Sequence, residues 1–431
     1  MFAGFDYGTS NCSIGLWRDG VVRLAPLEGA DTLIPSTLYA PRPDLQLERA
    51  VADIRGLDVR ARAFEELRFG RAALSAYLDA PSAGFFVKSP KSFLGAKGLG
   101  DEIKTRFVGV VAAMMANVKR GADATAGESI RQVVIGRPIN FQGAGGDEEN
   151  RNALAMLTEA ALDAGFADVE FLFEPMAAAM EYEARLEREE CVLVLDIGGG
   201  TTDCSFVRVG PQRRTSTDRH ADILGHAGER IGGNDYDQLL ALRAIMGLLG
   251  FGDDLASGLP IPNTYFVDAV TTNDVNAQQR FYSRQTRERL DRMIAEAQKP
   301  ERLARLRAVQ MERLSYRIVR SAELAKVALS DDELATVDLD YLEQGLIGNT
   351  DRAQFGQACE RLLVHLHGLV AETVSAAGRP PDVIYLTGGM ARATIIRRYL
   401  EAEFPQARFV DSDHFASVTE GLTLWAHRLF G

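Results

Sequence analysis

Two segments of this chain share one layout. FDYGTSNCS at residues 5–13 and LDIGGGTTDCS at residues 195–205 each run apolar residue, Asp, spacer, Gly, small polar cluster, then Cys-Ser. Asp6 and Asp196 stand 190 residues apart in a chain of 431. Apolar runs flank both copies, MFAGF and CSIGLW around the first and CVLVL and CSFVRV around the second, so each reads strand, glycine-rich turn, strand. Self-similarity at half the chain length predicts two related lobes. Length alone allows about three domains or one large two-lobed unit.

A glycine-rich turn exposes successive backbone N–H groups, and such nests bind anions, phosphate oxygens above all. Mg²⁺ keeps several waters and is typically held by one or two carboxylates plus substrate phosphates. Either copy alone reads equally well as an ordinary turn. Two copies in matching strand contexts predict facing hairpins, each offering one Asp and a set of N–H donors to a Mg²⁺-nucleotide. No G-x-x-x-x-G-K-[ST] occurs, and LDIGGGTTD is not G-x-G-x-x-G leading into a helix, so P-loop and Rossmann readings lose support.

Composition narrows the partners. Asp and Glu outnumber Lys and Arg by 60 to 48, a formal charge of −12, where a general nucleic-acid or anionic-membrane binder shows a basic excess. Charge-free runs stop at about a dozen residues, short of a membrane span, and MFAGFDYG lacks the features of a secretory signal. Cys12, Cys191, Cys204 and Cys359 show no C-x-x-C spacing, which fits a reducing cytoplasm. His365 and His367, two apart on a predicted helix, face different ways and make no ligand pair.

The first 24 residues read as consecutive antiparallel strands. Helices are expected over 60–80 and 101–121, a strand over 130–136, and a helix over 148–165 with Gly165 as C-cap. A strand at 169–173 then runs into a helix over 175–188 that opens on Pro175. Further on, helices are expected over 233–250, 284–297, 301–329, 352–377, 391–403 and 417–429, with an irregular insertion over 251–280. PDVIYLTGGM reads as a buried strand entering a Gly-Gly turn.

The paired turns resemble the two phosphate loops of the actin-like ATPase superfamily, which includes actins, sugar kinases and DnaK-type heat-shock chaperones. More narrowly, GGNDYD at 232–237, FEPMAAAMEY at 173–182 and IYLTGGMAR at 384–392 resemble segments of the chaperone branch. FDYGTSNCS, KSPKSFLGA and GRPINFQG look like its bacterial YegD-like group. The resemblance covers residues 1 to about 429. It implies an α/β, two-lobed actin-like ATPase fold of duplicated ribonuclease H-like lobes, with lobe I over 1–188 and lobe II over 189–431. It also implies ATP/ADP and Mg²⁺ as cofactors.

Carried over by that resemblance, Asp6, Asp196 and Asp203 would hold the Mg²⁺ shell. Gly8, Thr9, Ser10 and Asn11 would cradle phosphates from one lobe. Gly198, Gly199, Gly200, Thr201 and Thr202 would do so from the other, with Gly232 and Gly233 behind them. Lys91 would be the catalytic lysine, acting with Glu174, Asp196 and Thr201, and Pro138 would be the switch proline coupling nucleotide state to lobe rotation. Lys88, three residues earlier, is the competing candidate for that role, with a solvated surface lysine as the favoured reading. Glu323, Lys326 and Ser330 share one polar stripe and would face ribose and adenine, with Gly388, Gly389 and Arg392 closing the site.

The sequence also departs from the family. Val327 replaces the usual adenine-stacking arginine and Met390 the usual serine, and the insertion at 250–300 is longer than the family pattern. The peptide-clamping β-sandwich of the family is not expected in this chain. The reading is therefore a slow Mg²⁺-dependent ATPase of chaperone type in the cytoplasm. Its partners would be nucleotide, unfolded or partner proteins, and a co-chaperone or exchange factor, and neither nucleic acid nor membrane. An actin-like scaffold or filament protein and a small-molecule kinase are the alternatives.

Overall fold

The structure is a computed structural model that describes residues 1–41, 66–81, 83–94, 101–141, 147–216, 218–410 and 416–431. The chain opens with β1 (Phe2–Tyr7), β2 (Asn11–Arg18) and β3 (Val21–Leu24), paired antiparallel. Asp19 and Gly20 both take positive φ between β2 and β3, the Asp-Gly hairpin turn expected there. Next come β4 (Ile34–Pro35), β5 (Thr37–Ala40), β6 (Arg68–Phe69), α1 (Gly70–Asp79), β7 (Phe85–Lys88), α2 (Asp101–Ala126) and β8 (Gln132–Arg137). The first half ends with α3 (Asp147–Asp163), β9 (Asp168–Phe173) and α4 (Glu174–Glu183).

The second half starts with β10 (Glu190–Ile197), β11 (Thr202–Val209) and β12 (Ile223–Glu229), again antiparallel neighbours. A helical region follows: α5 (Gly233–Ala244), α6 (Thr264–Val270), α7 (Val275–Phe281), α8 (Arg284–Glu296), α9 (Pro300–Met311) and α10 (Ser315–Asp331). The hairpin β13 (Leu334–Asp338) and β14 (Ile347–Asp351) leads to α11 (Arg352–Ala358) and α12 (Glu360–Ala377). β15 (Val383–Thr387), α13 (Thr394–Glu403), β16 (Arg408–Val410) and α14 (Ser417–Phe430) complete the chain.

The two large sheets have one topology. The first runs β3-β2-β1-β8-β9 and the second β12-β11-β10-β15-β16. In each, the opening hairpin is antiparallel and the later strands join in parallel. This is the duplicated α/β architecture that the repeated motif predicts. β10 is buried along its whole length, which explains the unbroken apolar run before Asp196.

The halves also exchange helices. α14, from the end of the chain, lies on β1, β2 and β8, while α4 of the first half packs on β10 and β11. Met176, Ala177, Ala178, Val192, Val194, Leu422 and Ala426 form the apolar core between the two sheets. The two halves of the chain thus interlock through these helices. Among the described residues no helix is long and apolar enough to cross a membrane.

Several expected elements differ. The helix over 301–329 is two helices, because Arg313 adopts φ 57° between α9 and α10. Its carbonyl accepts the Tyr77 hydroxyl at 2.6 Å and its guanidinium lies over the Tyr282 ring, so distant residues hold the break. The helix over 352–377 divides at the buried Cys359. The segment 251–280 is not irregular throughout, since it contains α6 and α7, the latter capped by the Asp274 side chain. The helix over 233–250 ends at Ala244, and that over 60–80 gives way to β6 at residues 68–69. Residues 60–65 of that helix, 95–96 of the KSPKSFLGA stretch and 142–143 of GRPINFQG lie outside the described residues.

Candidate functional site

Asp6 and Asp196 occupy equivalent places, one pair of residues before each glycine-rich turn, with Ser13 and Asp203 as their cross-strand partners. The two turns face each other closely. A Cβ on Gly199 would lie 1.8 Å from Ser10 Oγ, and one on Gly200 would lie 2.8 Å from Thr9 Cγ2. Real Cβ atoms do not approach so near, so only glycine lets the second turn close on the first. Behind it, Gly233 N–H donates to Gly198 O and Asn234 N–H to Gly199 O, both at 2.8 Å. The GGNDYD segment thus buttresses the turn from the start of α5. Gly388 follows β15 with φ +82°, and a Cβ there would meet Asp196 Oδ1 at 2.6 Å.

Beneath the turns lies a buried charged cluster. Lys91, in a 3-10 turn at Pro90–Phe93, is 5% exposed and donates from Nζ to Glu174 Oε1 at 2.6 Å. Asp6, Asp196 and Asp203 complete the group. Burial, then Glu174, pushes Asp6 up to about 7, with Lys91 opposing. Burial and Glu174 push Asp203 up to about 8, with the Ile139 N–H and Lys91 opposing. Asp196 is raised well above the usual carboxylate range by burial and by its acidic neighbours. Lys91 is raised because Glu174 and Asp6 outweigh the burial that would lower it.

Asp203 also reaches the first half of the chain. Its Oδ1 accepts the Ile139 N–H at 2.6 Å, while its buried Oδ2 has no hydrogen-bond partner among the described residues. Four carboxylates and one lysine out of water form a set that favours an added cation. Among the described residues no three such side chains converge closely enough to hold a metal ion alone. The donors therefore fit a hydrated cation shared with a ligand's phosphates better than a bare protein cage.

The α10 stripe is already engaged. Glu323 Oε2 receives Lys88 Nζ at 3.2 Å and Arg320 Nη1 at 2.9 Å. Lys326 Nζ stands 2.7 Å from Asp237 Oδ1 and donates to Gly233 O at 3.3 Å. Lys88 is thus a half-buried bridge from β7 to α10, not a solvated surface lysine. Its predicted role failed because the carboxylate that holds it lies 235 positions away. Ser330 is half-buried, Val327 is 58% exposed and Met390 is buried. Arg392 is exposed beside Asp331 at 3.6 Å, and Gly389 is exposed as well.

The structure therefore brings Gly8–Asn11, Lys91, Glu174, Asp196, Gly198–Asp203, Gly232, Gly233 and Gly388 around one crevice with Asp6. Lys326 borders it through Gly233, whereas Ser330 and Arg392 lie near the far end of α10. Sequence reasoning missed Asn234, which donates from Nδ2 to Ser89 Oγ at 3.2 Å across the crevice, and Asp237, which holds Lys326. Both lie inside the GGNDYD segment, where two polar residues in a first helical turn were the available signal. Arg137 was also missed, although a cation ending an apolar strand just before Pro138 is conspicuous.

The family described as "Hsp70 protein" matches residues 90–245. A "Chaperone protein HscA homolog" of Burkholderia thailandensis is 26% identical over 438 aligned residues, covering 100% of this chain and 59% of that protein. Proteins of the same description are 29% identical in Paracidovorax citrulli and 28% in Burkholderia mallei. Those matches cover 57% and 56% of this chain but 37% and 36% of the relatives. The chain thus spans less than two thirds of the length of the curated relatives it matches. Duplicated sheets, motif order and these relatives together support a likeness of this chain to the ATPase domain of Hsp70-type proteins.

Proposed function

We propose that the chain binds Mg²⁺-ATP between its two glycine-rich turns and hydrolyses it slowly, as the nucleotide-driven part of a cytoplasmic chaperone cycle. The observation that carries this reading is the stacking of the two turns over a buried Lys91–Glu174 pair flanked by Asp6, Asp196 and Asp203. Backbone N–H groups of Gly8–Asn11 and Gly198–Thr202 would hold the β- and γ-phosphates. When bound, Mg²⁺ would offset phosphate charge, and Asp6, Asp196 and Asp203 would hold its water shell.

Hydrolysis of this kind rests on positioning and electrostatics rather than on covalent catalysis. Lys91 would place its ammonium against the charge developing on the γ-phosphate. Glu174 holds that ammonium in place and would orient the attacking water together with Thr201. On the base side, Glu323 and Lys326 would meet the ribose. Val327 and Met390 would give the base apolar contact in place of hydrogen-bonding groups, so discrimination between purines is expected to be weak.

Unfolded or partner proteins would be the clients, and a co-chaperone or exchange factor would act on the nucleotide state. Single-turnover hydrolysis of ATP tests the site. Asp196→Asn and Lys91→Ala are each expected to slow it by about 100-fold or more, the scale of losing one electrostatic contact to a transition state. Variants that hydrolyse as fast as the wild type would remove the assignment.

A further inference from the structure

Arg137 ends β8 in the segment Gly136-Arg137-Pro138, and none of the roles above uses it. Its guanidinium bonds back onto the turn that it opens: Nε donates to Pro138 O at 3.2 Å and Nη2 to Ile139 O at 3.3 Å. The Phe173 ring lies beside it, with the centroid 4.7 Å from Cζ, and Phe173 is the residue just before Glu174. The turn so held aims the Ile139 N–H at Asp203 Oδ1, 2.6 Å away in the other half of the chain.

Space around this contact is tight. A Cβ on Gly228 would stand 2.7 Å from Asp203 Oδ1 and 3.1 Å from Ile139 Cβ, so glycine there lets β12 pass close to this contact. Asn140 Nδ2 donates to Gly228 O at 3.0 Å. Asn150 supports the far end, accepting the Phe141 N–H and donating to Asn140 Oδ1, each at 3.0 Å. Both Arg137 hydrogen bonds go to carbonyls, so its positive charge acts on Asp203 and Glu174 through space.

We propose that Arg137 is a positioning residue of the hydrolytic site. By holding the Pro138–Ile139 turn against Phe173, it fixes the N–H that orients the Asp203 carboxylate and leaves Oδ2 for the water shell of the bound nucleotide. A planar fork can reach two carbonyls and lie on a ring at once, whereas a lysine offers one point charge. The inference rests on the ATPase reading above, and the experiment separates the two.

Hydrogen exchange at the Ile139 amide is followed in nucleotide-free wild type, Arg137→Ala and Arg137→Lys, beside single-turnover hydrolysis and ATP affinity. Both variants are expected to exchange faster at Ile139. Arg137→Ala is expected to hydrolyse about 100-fold more slowly, the cost of a misplacement near 1 Å. Its ATP affinity should stay within about threefold, which marks lost transition-state rather than ground-state interaction. Arg137→Lys should fall between it and the wild type.

Unchanged exchange at Ile139 in a folded variant overturns the proposal, whatever the rate does. So does a folded Arg137→Ala that hydrolyses like the wild type, and so does an equal loss in rate and affinity. If Arg137→Ala does not fold, exchange in Arg137→Lys decides. Wild type that hydrolyses no ATP would sink the ATPase reading, and the exchange measurement would still judge Arg137.

Discussion

Lys91 keeps its ammonium at 5% exposure because Glu174 lies 2.6 Å away and Asp6 adds a second negative charge. Asp6 and Asp196 are legible in the chain because each sits beside its own glycine turn, within a few residues of local pattern. The partner of Lys91 is not legible, since 83 positions separate it from Glu174. The same holds for Lys88 and Glu323, and here titration offers a test. Burial would raise the Glu323 carboxyl, but Lys88 and Arg320 outweigh it and hold it at about 2, below its usual 4.5. A carboxylate depressed on folding stabilises the native state fully above its unfolded pKa and loses that contribution as pH falls toward the folded value. The melting temperature of the wild type should exceed that of Glu323→Gln at neutral pH, and the gap should narrow steadily below pH 4.5. A gap that stays constant down to pH 3 would show that Lys88 and Glu323 are not paired in solution.

At the level of elements, the hairpins were readable and the helix breaks were not. Apolar stretches interrupted by Asp19-Gly20 define the β2–β3 hairpin without help from elsewhere. The break at Arg313 depends on Tyr77 and Tyr282, which come from other parts of the chain. Helical spacing alone therefore ran through it. The packing of α14 on α4 has the same character. A Cβ on Gly421 would lie 1.8 Å from Ala177 O, a backbone atom that cannot swing away like a side chain. Overpacking a tight core typically costs about 1–3 kcal/mol, and Gly421→Ala is expected at or above the top of that range. Chemical denaturation measures it. A loss under about 0.5 kcal/mol, the level of a neutral surface change, would mean that the two helices are not held this closely.

At the scale of the whole molecule, side-chain contacts join the two halves around the turns. Lys88–Glu323, Ser89–Asn234 and Ile139–Asp203 are among them. Two lobes that share a ligand and turn about a common core are suited to closure by hinge motion. Small-angle scattering should give a smaller radius of gyration with Mg²⁺-ATP than without nucleotide. Lys88→Ala should give a larger radius than the wild type in the nucleotide-free state. Identical scattering curves in all three conditions would exclude nucleotide-driven closure.

What the amino-acid order determined by itself was the pair of Asp–glycine hairpins, their place at the ends of buried strands, and so the duplicated architecture. These follow from backbone N–H groups and apolar runs within ten residues, where spacing along the chain is also spacing in space. Only the tertiary structure decided which charges meet: Lys91 with Glu174, Lys88 with Glu323, Lys326 with Asp237, and the Arg137 turn with Asp203. Coulomb energy in a dry interior depends on separations of a few ångströms between groups that the chain holds dozens or hundreds of residues apart. No local pattern encodes those distances until the sheets are stacked and α4 and α14 have crossed between them.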